Sequence, residues 1–150
     1  VRRSIVIALT AAALLGGCAT IPPQGEWARD DTDEAARLVL YQDGEAPRPV
    51  TLTCRPGSGL IDITVVGLRR DGAVIEVHSG KIWSRYAGSG LAEDGPDAPL
   101  EIRATMNAAD PVLARVADTG ELTIVQGERT IHAPNAFAPA HDFLALCRRR

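Results

Sequence analysis

Aromatic side chains are scarce in this sequence, at 4% of 150 residues, with two Trp, two Tyr and two Phe. Each tryptophan, Trp27 and Trp83, therefore needs its own account. Lysine is scarcer still: Lys81 stands alone and every other cation is an arginine, a bias from which no site follows. Basic residues do not outnumber acidic ones (16 against 19), so nucleic acid is not an expected partner. No CxxC or HxxxH pattern is present, which excludes the common zinc spacings. Phosphate-binding loops, dinucleotide fingerprints and paired catalytic carboxylates are missing too. No cofactor and no catalytic set are expected, and no motif assigns a reaction.

Long apolar runs are also few. The longest, Ile5 to Leu15, is broken only by Thr10 and follows Arg2 and Arg3. As a helix it spans only ~16 Å against a hydrocarbon core of ~30 Å, too short for a permanent membrane span. A charged start, a short apolar run and small residues are the architecture of an export signal, predicted here over residues 1–17. Leu15-Gly16-Gly17-Cys18 then resembles a bacterial lipobox. That resemblance implies diacylation and removal of the signal, with Cys18 becoming the first mature residue. Several acyl chains on one residue hold firmly, because each buried CH₂ contributes about 0.8 kcal/mol. Ala19 stands where Asp would direct inner-membrane retention in many Gram-negative bacteria, so the resemblance implies the periplasmic face of the outer membrane. The membrane, through this lipid, is one expected partner; an envelope protein is another, and a monomer is expected.

With Cys18 assigned to the anchor, Cys54 and Cys147 remain. In an oxidising compartment an even pair reads as a disulfide, here tying together the two ends of one domain. The mature chain of 133 residues (150 − 17) suits a single core on a short tether. Removing Arg2 and Arg3 leaves 14 basic against 19 acidic residues, a formal charge of −5.

The segment 18–36, with Pro22-Pro23, Asp30, Asp31, Asp33 and Glu34, reads as the lipidated Cys and a flexible acidic tether. Trp27 within it is expected to pack on the domain or to rest near the lipid headgroups. The domain proper is assigned to residues 37–150. Leu38 to Tyr41 forms a first strand; Val50, Leu52 and Cys54 alternate with Thr51 and Thr53 in a second, placing Cys54 in the core. Leu60 to Val66, a turn at Asp71-Gly72 and Ala73 to His78 read as a meander. Lys81 to Tyr86 reads as a further strand, and Gly88 to Pro99 as a mobile loop. Leu100 to Met106 alternates clearly. Asp110-Pro111 reads as an N-cap and first helical position, opening a short helix that ends before Gly120. Glu121 to Gln126 and Arg129 to Ala133 make a hairpin around Gly127-Glu128. Pro139 to Cys147 has helical spacing, with Ala140, Phe143, Leu144 and Cys147 on one face. The predicted fold is mainly β: a small antiparallel barrel or sandwich-like domain with one mid-chain helix and one C-terminal helix.

Two Gly-Ser-Gly-Leu copies, at Gly57 and Gly88, lack the G-x-S-x-G spacing of a hydrolase elbow and read as turn sequence. Glu76 and His78 share one strand face, but His132 and His141 show no spacing that requires them to converge on it. No metal site is expected. The strongest recognition surface is Lys81, Trp83, Arg85 and Tyr86 with Ser89, because aromatics and arginine anchor interfaces. The rarity of tryptophan favours the opposite placement of Trp83, in the core.

Two resemblances follow from these elements. Leu52-Thr-Cys54, Ala108-Ala-Asp-Pro-Val-Leu113, Gly120-Glu-Leu122 and Phe143 to Cys147 resemble motifs of small exported alphaproteobacterial domains, which implies a compact β-rich fold and no activity. More distantly, Thr53-Cys54 and the Ser79-Gly80 or Ser89-Gly90 pairs are similar to MliC-type lysozyme-inhibitor lipoproteins, although neither pair has Tyr three positions after its Gly. The predicted role is a non-catalytic envelope binding or structural module. The alternatives are an inhibitor of a lysozyme or protease presenting the loop from Gly88, and a small hydrolase using Ser89 or His78.

Overall fold

The computed structural model describes residues 25–41, 49–67, 74–92 and 100–148. The export signal, Cys18 and the Asp71-Gly72 turn lie outside them. The fold is mainly β. Nine antiparallel strands form one curled, half-barrel sheet: β1 (Glu26–Arg29), β2 (Ala36–Tyr41), β3 (Val50–Cys54), β4 (Leu60–Gly67), β5 (Val74–Ser79), β6 (Ile82–Ala92), β7 (Leu100–Asn107), β8 (Thr123–Gln126) and β9 (Arg129–His132). Two helices, α1 (Pro111–Thr119) and α2 (Phe137–Cys147), pack on its concave side.

Period-two alternation sets which side chains face the helices. Leu38 and Leu40, Leu52, Ile61 and Ile63, Ile75 and Val77, and Ile102 and Met106 point inward and are buried. Each helix adds an apolar stripe: Val112, Leu113 and Val116 from α1, and Ala140, Phe143 and Leu144 from α2. Phe143 is fully buried. The space between sheet and helices is filled, with a residual void of only about 10 Å³, barely one water. Aliphatic side chains dominate the core, joined by Met106, the Cys54–Cys147 pair, Phe143 and Trp27, with Tyr86 packed against it.

The strand order is β1-β2-β3-β4-β7-β6-β5-β8-β9. The expected meander of Leu60–Val66 with Ala73–His78 is therefore corrected. β4 pairs with β3 and β7, and β5 pairs with β6 and β8. The reason lies in β6, which is twice as long as the sequence pattern implied. Residues 82–87 pair with β5, and residues 88–92 pair with β7. Gly88-Ser89-Gly90 is thus the point where one strand changes partners, not the start of a mobile loop. Small residues suit a sharp change of direction there, and a Cβ at Gly90 would lie 3.1 Å from Leu100 Cδ1. The rest of the predicted loop, residues 93–99, lies outside the described residues.

The tether reading is corrected at its C-terminal end. Glu26–Arg29 is an edge strand paired with β2, and Trp27 points inward, 7% exposed, with its Nε1–H donating to the Pro134 carbonyl at 3.2 Å. The acidic run between β1 and β2 is a hairpin loop. Asp31 accepts from the Arg29 guanidinium and, at 3.0 Å, from the Arg37 amide; these contacts hold its carboxyl below the usual range, the Arg29 hydrogen bond foremost. Thr32 exchanges hydrogen bonds with Ala35.

Asp110 caps α1 as expected, its carboxylate accepting from the Val112 amide at 2.9 Å with Pro111 at the first turn. Gly120, at φ 72°, closes the helix and returns its amide to the Val116 carbonyl. α2 begins two residues before the predicted Pro139, because the Asn135 side chain accepts from the Phe137 amide at 2.9 Å. Cys54 and Cys147 are disulfide-bonded, 5.8 Å apart at Cα. Beside them the turn at Gly57 and Gly59 donates two backbone N–H groups, both at 2.8 Å, to the Leu146 and Cys147 carbonyls. Those carbonyls are otherwise orphans of the helix end. Covalent and hydrogen-bonded ties therefore fix the same point. Among the described residues no helix is long and apolar enough to cross a membrane.

Candidate functional site

The convex face of β5, β6, β8 and β9 gathers most of the polar residues singled out above. Antiparallel register lays them in rows across the strands. One row reads Trp83 (β6), His78 (β5), Thr123 (β8) and His132 (β9); the next reads Arg85, Glu76, Val125 and Thr130. Directly opposed residues on one face lie within side-chain reach, so each row is a set of contacts. His78 stacks against Trp83, ring centroids 5.8 Å apart and planes 15° apart. The Arg85 guanidinium lies 5.8 Å from the centre of the indole. Glu76 accepts from Arg85 Nε at 3.0 Å and meets His78 Nε2 at 3.3 Å. His132 Nδ1 meets the Thr123 hydroxyl at 3.3 Å.

Glu76 is the electrostatic centre of this face. The hydrogen bond from Arg85, and then that from His78, hold its carboxyl below the ordinary range. Beside it, Val74, Glu76, Arg85, Val125 and Gly127 line an open depression of about 290 Å³. Trp83 is 54% exposed, so the core placement is corrected: the inward positions of β6 are taken by Ser84 and Tyr86, and residues 83 and 85 face out. Lys81 is exposed at the tip of the β5–β6 hairpin, two residues from Trp83.

Tyr86 leaves the predicted surface. It packs against the core, and its hydroxyl is buried with no hydrogen-bond partner at bonding distance among the described residues. Burial pushes its ionisation well above the ordinary phenol value, and the neighbouring Asp110 carboxylate pushes in the same direction. Asp110 is itself engaged by Ser84 Oγ at 3.0 Å and by the α1 cap. Ser89 is outward and exposed but pairs with Arg103 on β7, beyond the strand's change of partner. His141 sits on α2 beside Phe137 and Asp142, away from the rows. Among the described residues no three His, Cys, Asp or Glu side chains gather to hold a metal ion.

A second depression, about 380 Å³, lies among Gly59, Leu60, Asn107, Ala108, Ala109 and Arg148. Its polar side chains are Asn107, which accepts from the Ala109 amide, and Arg148. The Trp83 face was visible in sequence through Lys81, Trp83 and Arg85. The contributions of Val125, Thr123 and His132 were not, because they depend on β8 lying beside β5, a pairing between strands more than forty residues apart. The sequence matches no protein-family model, and neither a curated protein nor a solved structure matches it.

Proposed function

We propose that the protein is a non-catalytic binding module of the cell envelope, lipid-anchored at Cys18 on the periplasmic face of the outer membrane, with the convex face around Trp83 as its recognition surface. The observation that carries this reading is an indole 54% exposed near the start of β6, beside the β5–β6 hairpin tip, and held by two neighbours. Exposed aromatics flanked by arginine are the usual anchors of recognition surfaces. Among the described residues the void between sheet and helices is only about 10 Å³, which supports an external site. The lipid anchor rests on Leu15-Gly16-Gly17-Cys18.

Two measurements test the two halves. Labelled palmitate is incorporated by the wild-type chain and not by Cys18→Ala; an unlabelled wild type, or a labelled variant, overturns the anchor. The Cys18→Ala chain, freed of lipid, co-sediments with isolated envelope fragments, and adding Trp83→Ala releases it. Sedimentation that is absent, or indifferent to Trp83, overturns the recognition surface.

A further inference from the structure

We infer that the Trp83 face binds an oligosaccharide carrying N-acetylated sugars, a proposal that rests on the binding-module reading above and names its ligand. The first argument is the platform. A pyranose ring has an apolar face of C–H bonds and a rim of hydroxyls, and it needs a flat apolar surface bordered by hydrogen-bonding groups. The Trp83 indole lies on a strand rather than a loop; His78 stacks on it at 5.8 Å and Arg85 lies 5.8 Å from its centre, and the sugar takes the part of the 54%-exposed ring that these neighbours leave open. A ring already held in place loses little entropy when a ligand covers it.

Charge supplies the second argument. Arg85 is engaged by Glu76, and the same carboxylate meets His78, so the centre of the face carries paired charges rather than a free cationic cluster. Lys81, exposed at the hairpin tip, is a single cation beside this paired centre and not a cluster. An anionic surface, whether nucleic acid or phospholipid, requires unpaired cations. A neutral polyol instead requires mixed donors and acceptors. The rows offer these in the 61%-exposed Arg85 side chain, the Glu76 carboxylate, the Thr123 and Thr130 hydroxyls and the His132 ring. A protein partner is the competing occupant, since Trp and Arg also anchor protein interfaces, and the sedimentation outcome below distinguishes it.

Shape gives the third argument and the N-acetyl group. The depression one rung from Trp83 has valine walls, Val74 and Val125, and a charged rim, Glu76 and Arg85. An acetamido group has the matching parts: a methyl for the valines, an N–H for the carboxylate and a carbonyl for the guanidinium. The depression, about 290 Å³, has room for an acetamido group together with part of its sugar ring. Successive outward residues of one strand lie ~7 Å apart, so a substituent in the depression belongs to a sugar stacked on, or next to, Trp83.

The test titrates tri-N-acetylchitotriose into the full-length protein in detergent, by calorimetry, with the fully deacetylated trimer as control. The wild type binds the acetylated trimer, the control binds at least about tenfold more weakly, and Trp83→Ala weakens acetylated-trimer binding by at least about tenfold, a loss of about 1.4 kcal/mol. Melting temperatures of wild type and variant show that both are folded. Wild-type binding of neither trimer at millimolar concentration, equal binding of both, or binding untouched by Trp83→Ala overturns the inference. If envelope sedimentation still depends on Trp83 while the trimer fails to bind, the module reading stands with a protein or lipid partner and the saccharide assignment falls. If Trp83-dependent sedimentation is absent as well, both fall together.

Discussion

Removing the Cys54–Cys147 bond tests the fold most directly, because it is the covalent cross-link between β3 and α2. The two cysteines are 93 residues apart in sequence. In the chain-entropy model, cross-linking a loop of that length restricts the unfolded chain by about 4.7 kcal/mol at 25 °C. Against that stands a native contact that survives reduction: Gly57 and Gly59 still donate to the Leu146 and Cys147 carbonyls, which holds the end of α2 near β3 in the folded state. Those hydrogen bonds act on the folded state alone and leave the loop-closure term intact. For a domain of this size, roughly 4 kcal/mol corresponds to a fall in melting temperature of about 10–25 °C. The variant Cys54→Ala/Cys147→Ala avoids a free thiol, and its melt is followed by circular dichroism beside the wild type. Amide exchange should accelerate first in α2, whose buried face is Ala140, Phe143, Leu144 and Cys147. A double variant melting within a few degrees of the wild type, or exchanging uniformly, refutes the claim that the bond clips this helix to the sheet.

Other perturbations isolate single features. Gly120→Ala places a Cβ 2.0 Å from Asn135 Oδ1 at φ 72°, and a chemical melt should show a loss of about 1–3 kcal/mol. Asp110→Ala removes the α1 cap and the Ser84 contact together, which should cost about 1–2 kcal/mol in the same assay. Trp83→Ala should change stability by no more than about 0.5 kcal/mol, whereas Trp27→Ala should cost about 3–5 kcal/mol. The carboxyl of Glu76, followed by NMR, should titrate below the ordinary ~4.3 and move back up in Arg85→Ala. The sign follows from linkage: with the folded value lowered, the favourable contact is complete above the ordinary range and is lost as pH falls through the folded value.

Local chemistry was legible in the sequence wherever it was self-contained. The Asp110-Pro111 start of α1, the Gly127-Glu128 hairpin and the buried face of α2 each depend on a few adjacent residues, and the structure has them where the pattern put them. The disulfide was legible through cysteine parity. Pairing partners were not. A strand's alternation shows which of its faces is buried and says nothing of its neighbours, so β4 and β5 read as a hairpin when β7 and β6 lie between them. Glycine misled for a related reason: Gly88-Ser89-Gly90 has the composition of a loop, yet it lies in register beside β7. The acidic run after Trp27 misled by charge, because one carboxylate, Asp31, is held by Arg29 and the Arg37 amide in a hairpin loop.

Trp83 shows why rarity was a poor guide to burial. The core of this half-barrel closes with aliphatic side chains, Phe143 and Trp27, so a second indole was not needed inside. On β6 the residues that face the helices are Ser84 and Tyr86, and Ser84 is fixed there by Asp110, the cap of α1. Shifting β6 by one residue would bring Trp83 inward, but it would also turn Ser84 away from that cap and expose Tyr86. The folding constraint therefore acts on the even-numbered positions and leaves 83 and 85 free of it. Across the β5–β6 ladder the same division holds, with Ile75 and Val77 committed to the core and Glu76 and His78 facing out. Outward pairs such as Glu76 with Arg85 and His78 with Trp83 add only about 0.2–1 kcal/mol each to the sheet, so the proposal that this cluster serves recognition rests on the exposure of Trp83 and not on the contacts themselves.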